Sequence, residues 1–302
     1  MEINKQSQPL SIVIATVGRP YFLAALIASL ELHAPKESEI IVVNNRTNST
    51  QNITIEAERL LLNIQSQLDI RFLTMTERGV SAARNYGVQN SKFDVIHFLD
   101  DECLVTKETY SGLSDFISSG DSLGFGGYVP LHLEGWHEYE LTTQSLQHHA
   151  NTSQTNLKNM VAGGNLFVLK DEFIELGGFR EDLGRGSGNI EVGEEPEFAQ
   201  RVIDSGSKLF FMRESTVFHG ERPSRNRVWH LKNFFHVGRL AAFNSLQSVK
   251  DQKVRPEMPR INIYKRLKQR KLFEVIFFLM GYVFQRIKPR RGSLSEAPST
   301  RF

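Results

Sequence analysis

Short apolar runs alternate with helical apolar patterns along the first hundred residues. Four runs rich in β-branched or aromatic residues predict buried strands, at residues 10–15, 40–43, 70–73 and 93–99. Segments with apolar residues at helical spacing lie between them, at residues 21–32, 53–66 and 79–88. This alternation predicts an α/β fold, with a doubly wound, mainly parallel sheet and helices on both faces.

Right-handed crossovers place the carboxyl ends of such strands on one edge of the sheet. The loops expected at that edge are residues 16–20, 44–50, 76–80 and 100–103. Open α/β sheets bind their ligands at this edge, so a nucleotide is expected there.

The second half of the chain has a different pattern. Strands are predicted at residues 123–129, 161–169, 209–212 and 216–218, the first two of which contain glycines. Helices are predicted at 171–176 and 194–205, and a long polar insertion at 131–158. Beyond residue 225 the pattern is helical and basic, at 228–248 and 261–288, with a proline-bearing linker at 251–260. We therefore predict a first domain at 1–225, a helical extension at 226–290 and a disordered tail at 291–302.

Charge is distributed unevenly along the 302 residues, although the formal net charge is only +2. Residues 251–302 contain 13 Lys and Arg against 4 Asp and Glu, and residues 1–250 contain 23 against 30. A basic tail on an acidic body indicates contact with an anionic partner. The single cysteine, Cys103, excludes a disulfide framework and is expected to be a packing residue. Because the N-terminus lacks a signal-peptide pattern, we expect a cytoplasmic protein.

Three consecutive acids, Asp100, Asp101 and Glu102, follow the fourth predicted strand. Adjacent carboxylates repel one another unless a positive charge lies among them. Hard divalent cations such as Mg²⁺ and Mn²⁺ prefer oxygen ligands of this kind. The triplet therefore predicts a metal site, with a solvated acidic turn as the alternative.

Four segments in order resemble family 2 glycosyltransferases with the GT-A fold. They are SIVIATVGRP, GVSAARNYGV, HFLDDE, and GGFRED followed by GEEPEFAQR and VFH. The resemblance covers about residues 10–220. It implies an inverting enzyme that transfers a sugar from a nucleoside-diphosphate sugar.

The same resemblance assigns metal and base residues. It implies that Asp100 contacts ribose or metal, that Glu102 binds the metal and that His219 completes its shell, whereas a lone histidine is usually structural. Mn²⁺ or Mg²⁺ would be the cofactor, and an imidazole ligand favours Mn²⁺. Glu195 is the implied general base, with Glu194 as the alternative. Both acids also suit a helix N-terminus, where they compensate the helix dipole.

The remaining implied positions bind the donor, and a UDP-sugar is favoured although other bases stay open. Asp101 is expected to assist or to point away, Arg84 to pair with phosphate or base, and the glycines to admit the donor sugar. The alternatives are a solvated helix arginine and a structural glycine turn. The implied donor-binding residues are Thr16, Arg19, Asn44, Asn45, Gly79, Arg84, Asn85, Asp100, Asp101, Gly163, Gly164 and Asn165.

The apolar segment at 272–284 lies between basic clusters. As a helix it would extend about 20 Å, which is shorter than the roughly 30 Å hydrocarbon core of a bilayer. We expect residues 261–290 to lie on an anionic membrane surface, at the inner face of the cell membrane. The alternative is a helix packed on the first domain or on a homodimer partner. The apolar centre of the segment disfavours a nucleic-acid partner.

The leading functional prediction is metal-assisted transfer of a sugar to a hydroxyl of a glycan or lipid-linked acceptor, as in polysaccharide biosynthesis. One alternative is a nucleotidyltransferase, although residues 15–20 make a poor triphosphate loop. The other is a non-catalytic member of the fold that binds nucleotide sugar or serves as a membrane scaffold.

Overall fold

A computed structural model of the protein describes residues 8–45, 68–131, 154–158, 160–220 and 272–287, with separate helical positions between 232 and 242. Its strands, numbered in chain order, are β1 Ser11–Thr16, β2 Glu39–Asn44, β3 Asp69–Thr74, β4 Val95–Asp100, β5 Cys103–Val105, β6 Leu123–Leu131, β7 Leu166–Leu169 and β8 Leu209–Gly220. Its helices are α1 Pro20–His33, α2 Val80–Gln89, α3 Leu113–Ser119, α4 Gln154–Leu157, α5 Lys170–Glu175, α6 Glu194–Asp204 and α7 Leu272–Ile287.

The described strands form one sheet in the order β3-β2-β1-β4-β7-β6-β8-β5. The first four neighbours are parallel, as the apolar runs predicted. The other half is mixed, because β7 lies antiparallel to both β4 and β6, and β5 antiparallel to β8, while β6 and β8 are parallel. The predicted strands at 209–212 and 216–218 join in the single strand β8.

Alternate residues of the strands enter two cores on opposite faces of the sheet. Val13 of β1 packs in one core with Ala83 of α2. Ile12 and Ile14 pack in the other with Leu26 of α1. Helices therefore cover both faces, which confirms the predicted layered α/β architecture.

The strand ends converge on one edge. Thr16 at the end of β1 pairs with Asn44 at the end of β2, and Ala15 pairs with Asp100 at the end of β4. Cys103, in the short strand after the acidic triplet, pairs with His219 near the end of β8. This register brings residues more than a hundred positions apart in sequence to the same edge.

Two compact units are distinguished, each described by itself. The first comprises Met1–Glu181 and Glu194–Glu221, and holds every site residue predicted above. The second comprises Asp182–Gly193 and Arg222–Arg301. No helix within the described residues is both long and apolar enough to cross a membrane. The sequence-based division at residue 225 stays a prediction.

Several sequence-based elements fall outside the described residues. They are the helix at 53–66, most of the insertion at 131–158, the linker at 251–260 and the tail at 291–302. The described positions of the predicted helix at 228–248 are helical.

Candidate functional site

The three acids after β4 point in different directions. Asp101 is buried, and its carboxylate accepts hydrogen bonds from Thr16 Oγ1, at 2.5 Å, and from Arg19 Nε, at 3.1 Å. Arg19 also forms an ion pair with Glu102, which is buried. The side chain of Asp100 is 34% exposed. Asp101 thus ties the triplet to the first loop, whereas the side chain of Asp100 is the most exposed of the three.

Asp101 and Glu102 titrate as a linked pair. Burial raises the pKa of Asp101 to about 7, although Arg19 opposes the rise. Burial also acts to raise the pKa of Glu102, but a hydrogen bond with Asp101 and the Arg19 charge lower it overall. Glu102 is therefore the carboxylate of this pair that keeps its negative charge more readily.

His219 approaches the acids from β8. Its Nε2 lies 3.9 Å from Asp100 Oδ2 and 3.8 Å from Glu102 Oε1. The ring of Tyr128 packs edge-on against the imidazole at 5.5 Å between centroids. No group of three His, Cys, Asp or Glu side chains in the described part of the chain already meets the geometry of a bound metal. Two carboxylates and an imidazole are nevertheless a donor set that suits a divalent cation.

Arg84 is the cation at the centre of the site. It is buried in α2, where its Nη2 binds Asp100 Oδ1 at 2.9 Å and its Nη1 binds Glu195 Oε1 at 3.0 Å. Glu194 Oε1 lies 3.7 Å from the same Nη1. This arginine is therefore not a solvated helix residue. It connects the acids at the end of β4 with those at the start of α6.

Glu194 and Glu195 open α6, and their environments differ. Glu195 is partly exposed, and its Oε1 accepts a hydrogen bond from the backbone N–H of Gly163 at 3.1 Å in addition to the Arg84 contact. Glu194 is buried. Burial and the neighbouring Glu195 charge raise the pKa of Glu194 to about 8, although Arg84 acts against them.

We expect Glu194→Gln to flatten the pH dependence of stability. The folded pKa of Glu194 is about 8, against an ordinary value of 4.5. Between these values the folded protein keeps a proton that the unfolded chain has lost, so stability falls as pH rises. Urea unfolding across this range should show a smaller fall for the variant, and a higher urea midpoint than the wild type at alkaline pH. If the unfolding free energy fell equally with pH in the two proteins, Glu194 would not be a buried, protonated group.

Glycines at 163 and 164 make room for side chains of the site. A Cβ on Gly163 would lie 2.0 Å from Arg84 Nη2, and one on Gly164 would lie 2.8 Å from the Tyr128 hydroxyl. The Gly164 N–H donates to that hydroxyl at 2.5 Å. Tyr128 was not among the predicted site residues, and its signal in the sequence is an aromatic residue directly after two glycines of β6.

Two predicted donor residues make internal contacts. The side-chain amide of Asn85 makes two hydrogen bonds with the backbone of Phe179. Its Nδ2 donates to the Phe179 carbonyl oxygen at 2.8 Å, and its Oδ1 accepts from the Phe179 N–H at 2.9 Å. Asn165 is fully buried and contacts His97, Gly127 and Ser215. These amides link strands and turns around the site, a role that tertiary packing decides and that the sequence pattern did not predict.

The first two strand ends carry the remaining predicted residues. Thr16 and Asn44 are buried partners across β1 and β2. The backbone N–H of Asn45 donates to Thr16 O at 3.2 Å, and the buried Asn45 Oδ1 has no hydrogen-bond partner among the described residues. Gly79 caps α2 with a φ of 119°, a conformation that favours glycine.

Comparison with solved structures concerns the fold. A mannosyltransferase, PcManGT from Pyrobaculum calidifontis, solved with GDP-Man and Mn²⁺, aligns with a TM-score of 0.60 at 13% identity, over 96% of this chain and 78% of that one. S. aureus TarS, solved with UDP-GlcNAc, aligns with a TM-score of 0.56 at 14% identity, over 93% of this chain and 74% of that one. These similarities confirm the predicted GT-A fold.

Comparison of sequences identifies the family. Glycosyltransferase AglE of Haloferax volcanii is 27% identical over 205 residues, which cover 67% of this chain and 62% of AglE. The chain thus matches less than two thirds of the length of this relative. A model described as "Glycosyl transferase family 2" matches residues 11–177. Because that match extends over more than half of the 302 residues, the chain belongs to glycosyl transferase family 2.

Proposed function

We propose that the protein is an inverting glycosyltransferase, which moves a sugar from a nucleoside-diphosphate sugar to an acceptor hydroxyl. The observation that carries this proposal is the buried Arg84, which binds Asp100 on one side and Glu195 on the other. A donor-side acid and an acid at the start of α6 therefore lie around one cation. A transferase needs this proximity because donor and acceptor must meet in one orientation.

In the proposed reaction Glu195 is the general base. It takes the proton of the acceptor hydroxyl as that oxygen bonds to the anomeric carbon. The bond from this carbon to the diphosphate oxygen breaks in the same displacement, so the configuration inverts and the nucleoside diphosphate leaves. Arg84 and the Gly163 N–H hold one oxygen of Glu195, which leaves the other for the proton. A pKa of about 8 keeps Glu194 largely protonated at neutral pH, which favours Glu195 as the base.

Asp100, Glu102 and His219 are proposed to hold Mn²⁺ or Mg²⁺. Such a cation would stabilise the negative charge that develops on the leaving diphosphate. The presence of Mn²⁺ in the PcManGT structure supports a divalent cation. The chemistry of this donor set supports Mn²⁺ over Mg²⁺ because one ligand is an imidazole.

A Glu102→Ala variant is expected to lose Mn²⁺-dependent binding of UDP, with an affinity lower by about tenfold or more, since one charged ligand is gone. Isothermal titration with UDP, in the presence and absence of Mn²⁺, measures this difference. Glu108→Ala removes an exposed carboxylate six positions further along the chain and should leave binding unchanged. Unchanged binding in Glu102→Ala would remove this residue from the metal shell.

Recognition of the donor base is assigned to the ends of β1 and β2. Asn45 lies at this edge, where its side-chain amide offers both a donor and an acceptor, so it does not by itself select one base. A UDP-sugar is the favoured donor because TarS was solved with UDP-GlcNAc, although GDP-Man in PcManGT keeps guanine open. Thr16 and Arg19 would border the nucleoside, while Asp101 holds their loop in place.

The proposed acceptor is a glycan or a lipid-linked saccharide at the inner face of the cell membrane, with the protein bound peripherally. A panel of UDP- and GDP-sugars with Mn²⁺, monitored for release of nucleoside diphosphate, tests the proposal. Binding without any release, even when acceptors are added, would favour a non-catalytic member of the fold. Pyrophosphate release from a nucleoside triphosphate and a sugar phosphate would favour a nucleotidyltransferase.

A further inference from the structure

Helix α7 leaves an apolar stripe in water. Ile276, Leu279, Met280 and Val283 are 39%, 46%, 52% and 54% exposed. Their spacing of three, four and seven positions places them on one side of the helix. A contiguous exposed stripe of this kind marks an interaction surface more often than a single exposed apolar residue does.

The opposite side of α7 is already packed within the second unit. Phe278 is buried, and a Cβ on Gly281 would lie 1.9 Å from the Phe235 carbonyl oxygen. Gln285 Oε1 accepts a hydrogen bond from Arg239 Nε at 3.0 Å. These contacts fix the rotation of the helix, so the stripe cannot turn inward without breaking them.

The sequence around the stripe is strongly basic. Five of the seven residues at 265–271 are Lys or Arg, as are four of the six at 286–291, and neither segment contains an acid. An apolar stripe between cationic segments is complementary to an anionic lipid surface. A second copy of the chain is a poorer partner, because it would bring the same positive charges to the contact.

The length of α7 indicates how it would meet lipid. Its 16 residues extend about 24 Å, at 1.5 Å per residue. A hydrocarbon core of roughly 30 Å needs a longer apolar helix. The helix is therefore suited to lie in the interface, with its stripe in the acyl region.

We propose that the stripe formed by Ile276, Leu279, Met280 and Val283 docks the protein on an anionic membrane surface. This surface deepens the proposed function, since it would bring the first unit to lipid-linked acceptors. It depends only on α7 and its flanks, so it can fail or succeed independently of the transfer reaction.

Co-sedimentation with vesicles tests this docking surface in the full chain. The wild type should bind vesicles of phosphatidylcholine and phosphatidylglycerol in equal parts, and bind pure phosphatidylcholine much more weakly. A Leu279→Gln, Val283→Gln double variant should partition at least about tenfold less, because two apolar contacts are replaced. Leu32→Gln, on the 78% exposed Leu32 of α1, is the matched control and should bind as the wild type does.

Three outcomes would overturn the proposal. They are absence of wild-type binding to the mixed vesicles, equal binding by the double variant, and a wild-type dimer that the double variant converts to a monomer in light scattering. Circular dichroism confirms that each variant is folded. In an assay without vesicles, the wild type and the double variant should release nucleoside diphosphate at the same rate. This result separates docking from catalysis.

Discussion

A Glu195→Gln variant is expected to turn over with a kcat about 10²–10⁴-fold below that of the wild type, the loss typical of a missing general base. The amide keeps the shape of the side chain and can still accept the hydrogen bonds of Arg84 and Gly163, but it cannot take the acceptor proton. Because Asp100 and the strand ends are unchanged, affinity for the nucleotide sugar should stay close to the wild-type value. Transfer assays and titration with the donor measure these two quantities separately.

The neighbouring acid supplies the matched control. Glu194→Gln replaces a group that burial keeps largely protonated at neutral pH, so its amide resembles the native state. We expect this variant to retain most of its activity near neutral pH. If Glu194→Gln were inactive and Glu195→Gln active, the two roles would be exchanged. If both retained full activity, neither acid would be the base.

Much of the fold could be predicted because its signals are local. Three of the six residues of β1 and four of the six of β2 are Ile or Val, all of them buried, and Pro20 lies in the first turn of α1. The second half of the sheet depends on pairings between distant segments, which no periodicity encodes. The register of Cys103 with His219 is one such pairing, and it brings the histidine to the acids.

The candidate site also has a part that local sequence signals predicted and a part that depends on contacts between distant segments. The acids at the end of β4 and the start of α6 could be predicted because strand ends and helix starts have recognisable patterns. Arg84 was expected to contact the nucleotide, and its contact with Glu195, 111 residues away, depends on the packing of α2 against the Gly163 turn. Asn85 binds Phe179 across 94 residues for the same kind of reason. Such partners are decided by tertiary structure.

An Arg84→Met variant should lose about 3 kcal/mol of unfolding free energy, near the lower end of the range for breaking a buried ion pair. The guanidinium is 2% exposed and faces Asp100, Glu194 and Glu195. Met fills a similar volume but leaves the acids without their cation. The 34% exposure of Asp100 lets water reduce part of the penalty, which is why the lower end applies. Urea unfolding at neutral pH measures the difference.

The pH dependence of this loss separates charge from packing. Arg84 holds the pKa of Glu194 below the value that burial and Glu195 alone would give. Without Arg84 the acids bind protons at higher pH. The unfolding free energies of the wild type and the variant should therefore differ most at alkaline pH and converge as the acids become protonated.

Arg71→Met is the control, since Arg71 pairs with the buried Glu39 at the opposite end of β2. It should lower stability while leaving the donor affinity of the folded protein unchanged. A loss in Arg84→Met that stayed constant with pH would indicate a packing defect, and Arg84 would then not be the cation that joins the donor-side acid to the base.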